Sequence, residues 1–244
     1  MSPGPTARLL LFLLAVAAPG ARAAGIASHV TRLAVGPDGS GRATCTVVAT
    51  GAPSETLAIP LPAGGWANLR LSGGPEGLLL DPPAPGAAAV RVTLPPEAAA
   101  TTTFTLAWDV PEALARAENP AAGEKLTIPR GSRTLRVAFV NTQAATIGEF
   151  ETLVVLPPGW RVHAIREQFP RPKRSEVEPR VRLGADGGLQ NALLQLDAMK
   201  QGDSTSMQLE VGPDGPSPLW IVAGVALSAL YLVKFRDLVA RPKE

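Results

Sequence analysis

Cysteine is almost absent: Cys45 stands alone among 244 residues, so no internal disulfide can form and apolar packing must hold any folded part together. Histidine is nearly as scarce. His29 and His163 are the only two, and neither has a cysteine, histidine or carboxylate at ligand spacing, which leaves little raw material for a metal centre. Charge of one sign is also missing, since 23 Lys and Arg face 21 Asp and Glu for a net +2. That balance is too small to argue for a nucleic-acid partner. No Asn-x-Ser/Thr sequon occurs, because Asn68, Asn119, Asn141 and Asn191 all fail the pattern. With the richness in Ala, Pro, Gly and Arg, these absences point to a bacterial envelope and a GC-rich genome rather than to a eukaryotic cell surface.

The two ends carry the long apolar runs. Residues 1–23 read as a secretory signal: a basic start ending at Arg8, the run Leu9 to Ala18, then Pro19-Gly20 and the small residues of Ala21-Arg22-Ala23. That run of about ten residues is too short to span a bilayer. Near the other end, Leu219 to Val233 ("LWIVAGVALSALYLV") follows Pro216-Ser217-Pro218 and precedes Lys234 and Arg236. Its fifteen residues reach only about 22 Å as a helix. Trp220 and Tyr231 at the interfaces and snorkelling basic residues make up the difference, so a transmembrane helix is expected over 219–235. The basic tail 236–244 would then lie in the cytoplasm and everything before the helix outside it.

Between these ends the chain repeats itself. "ETLAIPLPAGGW" (Glu55 to Trp66) returns as "ETLVVLPPGW" (Glu151 to Trp160), and upstream "RLAVGPDGSGRATCTVVAT" lies over "KLTIPRGSRTLRVAFVNT". With the Gly-Ser pairs superposed, Ala43, Cys45 and Val47 match Leu135, Val137 and Phe139, with the period of two that turns one face of a strand to a core. Each copy opens as a hairpin, whose turn in the first is Pro37-Asp38-Gly39. Leu57, Ile59 and Leu61 correspond in this reading to Leu153, Val155 and Leu156. Further strand pairs close each copy, Ala88 to Leu94 with Thr102 to Asp109, and Leu189 to Leu196 with Thr205 to Val211.

Six or seven short strands per copy, with turn signals every 8 to 12 residues, predict an all-β fold of two tandem immunoglobulin-like β-sandwich domains. The first spans 24–112 and the second 123–213, with linkers at 113–122 and 214–218. The patch "PEALARAENP" (Pro111 to Pro120) is weakly helical and falls where the linker belongs.

Three motifs carry a resemblance: Asn141-Thr142 at a strand end, Leu156-Pro157-Pro158-Gly159-Trp160, and Gly202-Asp203-Ser204 before an alternating strand. On these the chain resembles the bacterial and archaeal CARDB-type, cell-adhesion-like Ig modules over roughly 180 residues. The first copy departs from the pattern with Ala49-Thr50 and Pro96-Glu97. The resemblance implies a non-catalytic spacer or binding domain on an envelope protein.

The remaining side chains read mostly as packing. Cys45 sits on an apolar face and is expected to be an inert thiol. His29 and His163 are read as surface residues, Met199 and Met207 as strand packing, and Trp66 and Trp160 as aromatics laid against the core. A metallochaperone or enzyme built on the two histidines and two methionines is the weakest reading. Where the copies stop agreeing, function is expected. Residues 161–182 hold seven Lys or Arg against three Glu, and Arg161, Arg166, Phe169, Arg171, Lys173, Arg174, Arg180 and Arg182 form a candidate interaction loop for anionic lipid, acidic glycan or an acidic protein face. Gly224 and Ser228 form a small-xxx-small pair for helix packing.

The function expected is that of a non-enzymatic, membrane-anchored accessory or scaffold protein of an envelope complex, presenting two Ig-like domains to an envelope or membrane protein, with no cofactor. A module binding envelope glycan or another anionic polymer is the alternative.

Overall fold

A computed structural model describes residues 25–63, 65–84, 86–116, 131–169, 181–214, 224–231 and 234–235. Alternation of side chains sets its strands. In "GRATCTVVAT" the residues Ala43, Cys45, Val47 and Ala49 are buried while Arg42, Thr44 and Thr46 face solvent, which is the half-buried pattern that stabilises a strand over a helix. The first half holds β1 (Gly25–Val35), β2 (Gly41–Thr50), β3 (Thr56–Pro60), β4 (Ala67–Gly73), β5 (Leu79–Leu80), β6 (Ala89–Thr93) and β7 (Thr101–Val110). The second holds β8 (Leu114–Arg116), β9 (Arg133–Val140), β10 (Ile147–Val155), β11 (Trp160–Phe169), β12 (Val181–Asp186), β13 (Leu189–Leu196) and β14 (Ser204–Pro213).

Pairing repeats as the sequence does. The order β1-β2-β7-β4 recurs as β8-β9-β14-β11, and β3-β6-β5 recurs as β10-β13-β12. The sandwich-like, all-β architecture is therefore present. Its strand order is distinctive, because the last strand of each copy lies between the second and fourth, the place that the fifth strand takes in an immunoglobulin constant-type sandwich. The Pro37-Asp38-Gly39 turn closes its hairpin as expected: Gly39 has φ 92° and the Asp38 carboxylate accepts hydrogen bonds from the Ser40 amide and hydroxyl.

Two local expectations are corrected. Residues 114–116 of the helical-looking patch form β8, pairing Leu114 with Leu135; tertiary pairing overrides the helix propensity of Ala, Leu and Glu. The matched letters "ETL" are also one residue out of structural register. Ile59 pairs with Val90 and Val154 with Ala192, so Leu57 corresponds to Thr152 and Ile59 to Val154. Phe150, Thr152, Val154 and Leu156 thus point inward, while Leu153 takes the other face, as a one-residue shift in a strand requires. The segment Lys125 to Pro129, which opens the expected hairpin of the second copy, lies outside the described residues.

The halves are joined by a parallel pairing of β1 with β10, from Ile26 opposite Ile147 to Ala34 opposite Val155. This makes one seven-stranded sheet, β12-β13-β10-β1-β2-β7-β4. Two further bonds cross the junction: the Ala63 amide donates to the Ala138 carbonyl at 2.7 Å and the Ala58 amide to Gln143 Oε1 at 2.8 Å. The inner residues of all three sheets form one core, with Leu57, Ile59, Val90, Phe104 and Trp108 of the first half continuous with Leu135, Phe139, Phe150, Met207 and Leu209 of the second.

Within that junction sits His29, in the middle of β1 and fully buried, which overturns its reading as a surface residue before the first strand. Its ring stacks on Phe150 at 4.8 Å and meets the edge of Phe139 at 5.8 Å. Nε2 lies 3.2 Å from the Pro60 carbonyl and 3.3 Å from Cys45 Sγ. A neutral imidazole gives an aromatic plate to the second half and a donor to the first.

The membrane anchor is corrected as well. Among the described residues no helix is long and apolar enough to cross a membrane. The described helical run, residues 224–231, is about 12 Å long against a hydrocarbon core of about 30 Å, so the single-pass placement in the cytoplasmic membrane is not retained. The signal-peptide residues 1–23 lie outside the described part, as do most of the linker at 113–122 and the tail at 236–244.

Two outcomes follow from the junction. A Cβ at Gly148 would lie 2.7 Å from the Ala27 carbonyl oxygen, whereas one at Gly65 would meet nothing within 4 Å. Gly148→Ala should therefore cost about 2 kcal/mol in denaturant unfolding and Gly65→Ala almost nothing. Burial lowers the His29 pKa from 6.5 to about 4. The unfolded chain takes up this proton near 6.5 and the folded chain only near 4, so the histidine's contribution is complete above pH 6.5 and is lost as pH falls toward 4, about 3 kcal/mol in all. His29→Leu should flatten this part of the pH dependence, measured by urea midpoints at pH 7 and 4.5.

Candidate interaction surface

The basic stretch begins on β11, an edge of the four-stranded sheet, and ends on β12, an edge of the seven-stranded one. The Val181 amide donates to Gln168 Oε1 at 3.3 Å and the Thr205 hydroxyl to the Phe169 carbonyl at 2.8 Å. These bonds bring the end of β11 and the start of β12 to one corner. Arg171, Lys173, Arg174 and Arg180 lie outside the described residues. Of the described members, Phe169 is 44% exposed and Arg182 is exposed on β12 beside Leu183, itself 53% exposed.

Arg161 and Arg166 are not free charges. Arg161 pairs with Asp214 at 3.1 Å and Arg166 with Glu210 at 3.4 Å. Why Arg166 turns inward is visible in the ladder: β11 slips against β14 at two places, leaving His163 and Arg166 as the extra residues. Such bulges re-aim side chains. Both are thereby brought toward Glu210, which is only 3% exposed and also accepts from the Thr134 hydroxyl at 3.1 Å. Gly212 leaves room for this cluster, because a Cβ there would lie 3.0 Å from His163 Nε2 and 3.3 Å from Ser132 Oγ. His163 is thus half-buried rather than a surface residue. Burial first, then the Arg161 guanidinium, lowers its pKa, against the raising effect of Asp214 and Glu210.

Sequence reading missed Glu210, Ser132 and Thr134, because Glu210 sits at an outward position in the alternation of β14. The repeat held a signal for it. Glu210 faces Thr134 as Asp109 faces Arg42, and Asp109 also binds an arginine, Arg42 at 3.3 Å, together with Asn68 at 2.8 Å. One acid position in two copies has become a solvent-facing pair in the first half and a buried one in the second. These neighbours lower the Asp109 pKa, the Asn68 hydrogen bond most.

Other candidates fall into packing. Cys45 is fully buried and its thiol is pushed up to about 12 by desolvation, so no thiolate is present for nucleophilic or metal chemistry near neutral pH. Met199 and Met207 are core residues. Trp66 and Trp160 are half-buried against the core, and the Trp66 indole donates to the Ala87 carbonyl. Asn141 Nδ2 donates to the Met199 carbonyl and its backbone amide to that of Asp203, so two of the motifs behind the family resemblance meet as turn chemistry. In the helix the Ser228 hydroxyl bonds back to the Gly224 carbonyl at 2.8 Å, and no atom lies within 4 Å of a Cβ built at Gly224. Among the described residues, no three His, Cys, Asp or Glu side chains stand together as a metal cradle.

No family model matches the sequence, and no curated protein matches it either. Solved structures share its outline at a distance. An M1 zinc metallopeptidase from Deinococcus radiodurans is 13% identical, with a TM-score of 0.39 over 79% of this chain and 43% of the other. Leukotriene A4 hydrolase from Saccharomyces cerevisiae is 6% identical, with a TM-score of 0.41 over 76% and 29%. The chain spans less than half the length of either protein, and likeness at this level carries no functional argument.

Removing Glu210 takes a buried carboxylate away from both the Thr134 hydroxyl and the Arg166 guanidinium, and loss of one member of a buried pair is strongly destabilising. Glu210→Ala should therefore destabilise the fold by about 3 kcal/mol, whereas Asp109→Ala should leave the denaturant midpoint nearly unchanged. Parallel chemical unfolding of the two variants makes the comparison.

Proposed function

We propose that this chain is a non-enzymatic accessory or scaffold protein of an envelope complex, made of two tandem Ig-like sandwiches behind a secretory leader at residues 1–23. The observation that carries the reading is the corner where β11 ends and β12 begins. Phe169 and Leu183 leave large apolar side chains exposed near that corner, which suits a protein interface, and Arg182 is exposed on the opposite face of β12 from Leu183. The shared sheet favours the same role, because it fixes the orientation of one half against the other and presents the corner on a stiff support.

An anionic polymer as ligand is less well supported. Arg161 and Arg166 already have acidic partners within the fold, and the two tryptophans that would stack on sugar rings pack against the core.

The test is site-specific photo-crosslinking in the native cell. A photoreactive residue at 169 or 183 should give one discrete protein adduct, and the same residue at 91 on β6 should give none. Absence of adducts at both corner positions, together with salt-sensitive retention of the purified chain on a polyanion resin, would overturn the reading in favour of the polymer.

A further inference from the structure

Among the described residues, the three sheets end on β12 and β4, on β11 and β8, and on β3 and β5. An end strand offers unpaired amides and carbonyls to any other strand, and folded proteins blunt such edges. All but one are blunted here. The register of β4 slips twice and its Asn68 takes φ 53°, and β11 slips twice against β14. β8 has three residues and β5 two. On β3 the Ala58 amide is covered by Gln143 of the second half.

β12 has none of these devices. Its six residues, "VRLGAD", pair with β13 without a slip, from Val181 opposite Leu194 to Asp186 opposite Leu189, and include neither proline nor lysine. Among the described residues no strand lies along its outer side, and every residue from Arg182 to Asp186 is exposed. The ladder shows which backbone groups face outward. Gly187 and Gly188, at φ 57° and 80°, form a two-residue turn, so the flanking pair Asp186–Leu189 is hydrogen-bonded and the pairs alternate from there. The Gln190 carbonyl agrees, because it accepts from the Leu156 amide on the far side of β13 at 2.9 Å. Leu183 and Ala185 therefore turn their amides and carbonyls away from β13.

The side chains select the occupant. Arg182 and Asp186 carry opposite charges on one face of β12, on either side of Gly184. An antiparallel copy centred on Gly184 sets each charge opposite the other sign and sets Leu183 opposite Ala185. The two residues that meet there are the two whose backbone groups face outward, so the hydrogen-bond pattern fits the same register as the charges.

We propose that β12 pairs with β12 of a second copy of this chain about a two-fold axis at Gly184, joining two seven-stranded sheets edge to edge. Leu183 exchanges backbone hydrogen bonds with the partner's Ala185. Arg182 stands opposite the partner's Asp186 in the non-hydrogen-bonded position, where side chains lie closest. A guanidinium has five donors, so this ion pair adds to the bonding of Arg182 within its own chain. One edge strand on each side is a small contact, which makes the dimer one of the weak, transient class. The proposal goes beyond the scaffold reading, and its test needs no other protein.

Sedimentation equilibrium of the purified full chain at low ionic strength should show monomer and dimer with a dissociation constant on the order of 100 μM. Arg182→Asp and Asp186→Arg, both surface changes, each set like charges opposite one another and should each weaken association at least about tenfold. Mixed in equal amounts, the two variants regain both ion pairs across the axis, and their association should return to within about threefold of the parent chain. Ala185→Pro removes an outward amide while leaving the β12–β13 ladder intact, and it should also abolish the dimer. A chain that stays monomeric up to about 1 mM, equal association in all variants, or a mixture no tighter than its separate components would each overturn the proposal.

Discussion

The parallel pairing of β1 with β10 is the constraint on which the rest depends. Without it the chain is two short sandwiches, each with an unpaired strand edge; with it one sheet runs through both halves. The pairing also decides what surrounds His29. A histidine at that position in a free-standing first half would face the gap where Phe139 and Phe150 now lie. The neutral ring, the thiol of Cys45 beside it and the carbonyl of Pro60 form a polar knot in an apolar junction, acceptable only because the imidazole stays uncharged.

Much of the fold was legible because the sequence is written twice. The alternation of Ala43, Cys45 and Val47 against Leu135, Val137 and Phe139 located the strands, and the turn at Pro37-Asp38-Gly39 located a hairpin. What the repeat could not show was how the copies meet. Strand patterns report which face is buried and not which neighbour buries it, so His29 looked like a residue before the sheet when it lies at the centre of one. The letters "ETL" misled for a related reason, since identity of letters is not identity of register, and the ladder partners Val90 and Ala192 set the true correspondence.

The candidate surface was read less completely. Phe169 and Arg182, read as members of a region where the copies diverge, are exposed, whereas Arg161 and Arg166 have acids beside them. Counting charges along a strand treats each as solvated. Two bulges in β11 break that assumption by turning His163 and Arg166 toward Glu210, and no local pattern in "RVHAIREQF" marks them. At the C-terminal end, hydropathy described a run of letters, while the described helical run is shorter than a bilayer requires.

The seam has a consequence for the order of assembly. Ser28 and Glu149, neighbours across it, are 121 residues apart in the chain, so the outer edge of β1 cannot be covered until most of the protein has left the ribosome. During that interval the nascent first half carries a ready strand-pairing template with a buried-type apolar side, the arrangement most open to capture by another chain. Contacts of such long range also close slowly, because the intervening loop must be ordered before they are gained. The feature that makes the finished molecule a single body thus makes its unfinished form dependent on protection, and synthesis of the second half supplies that protection last.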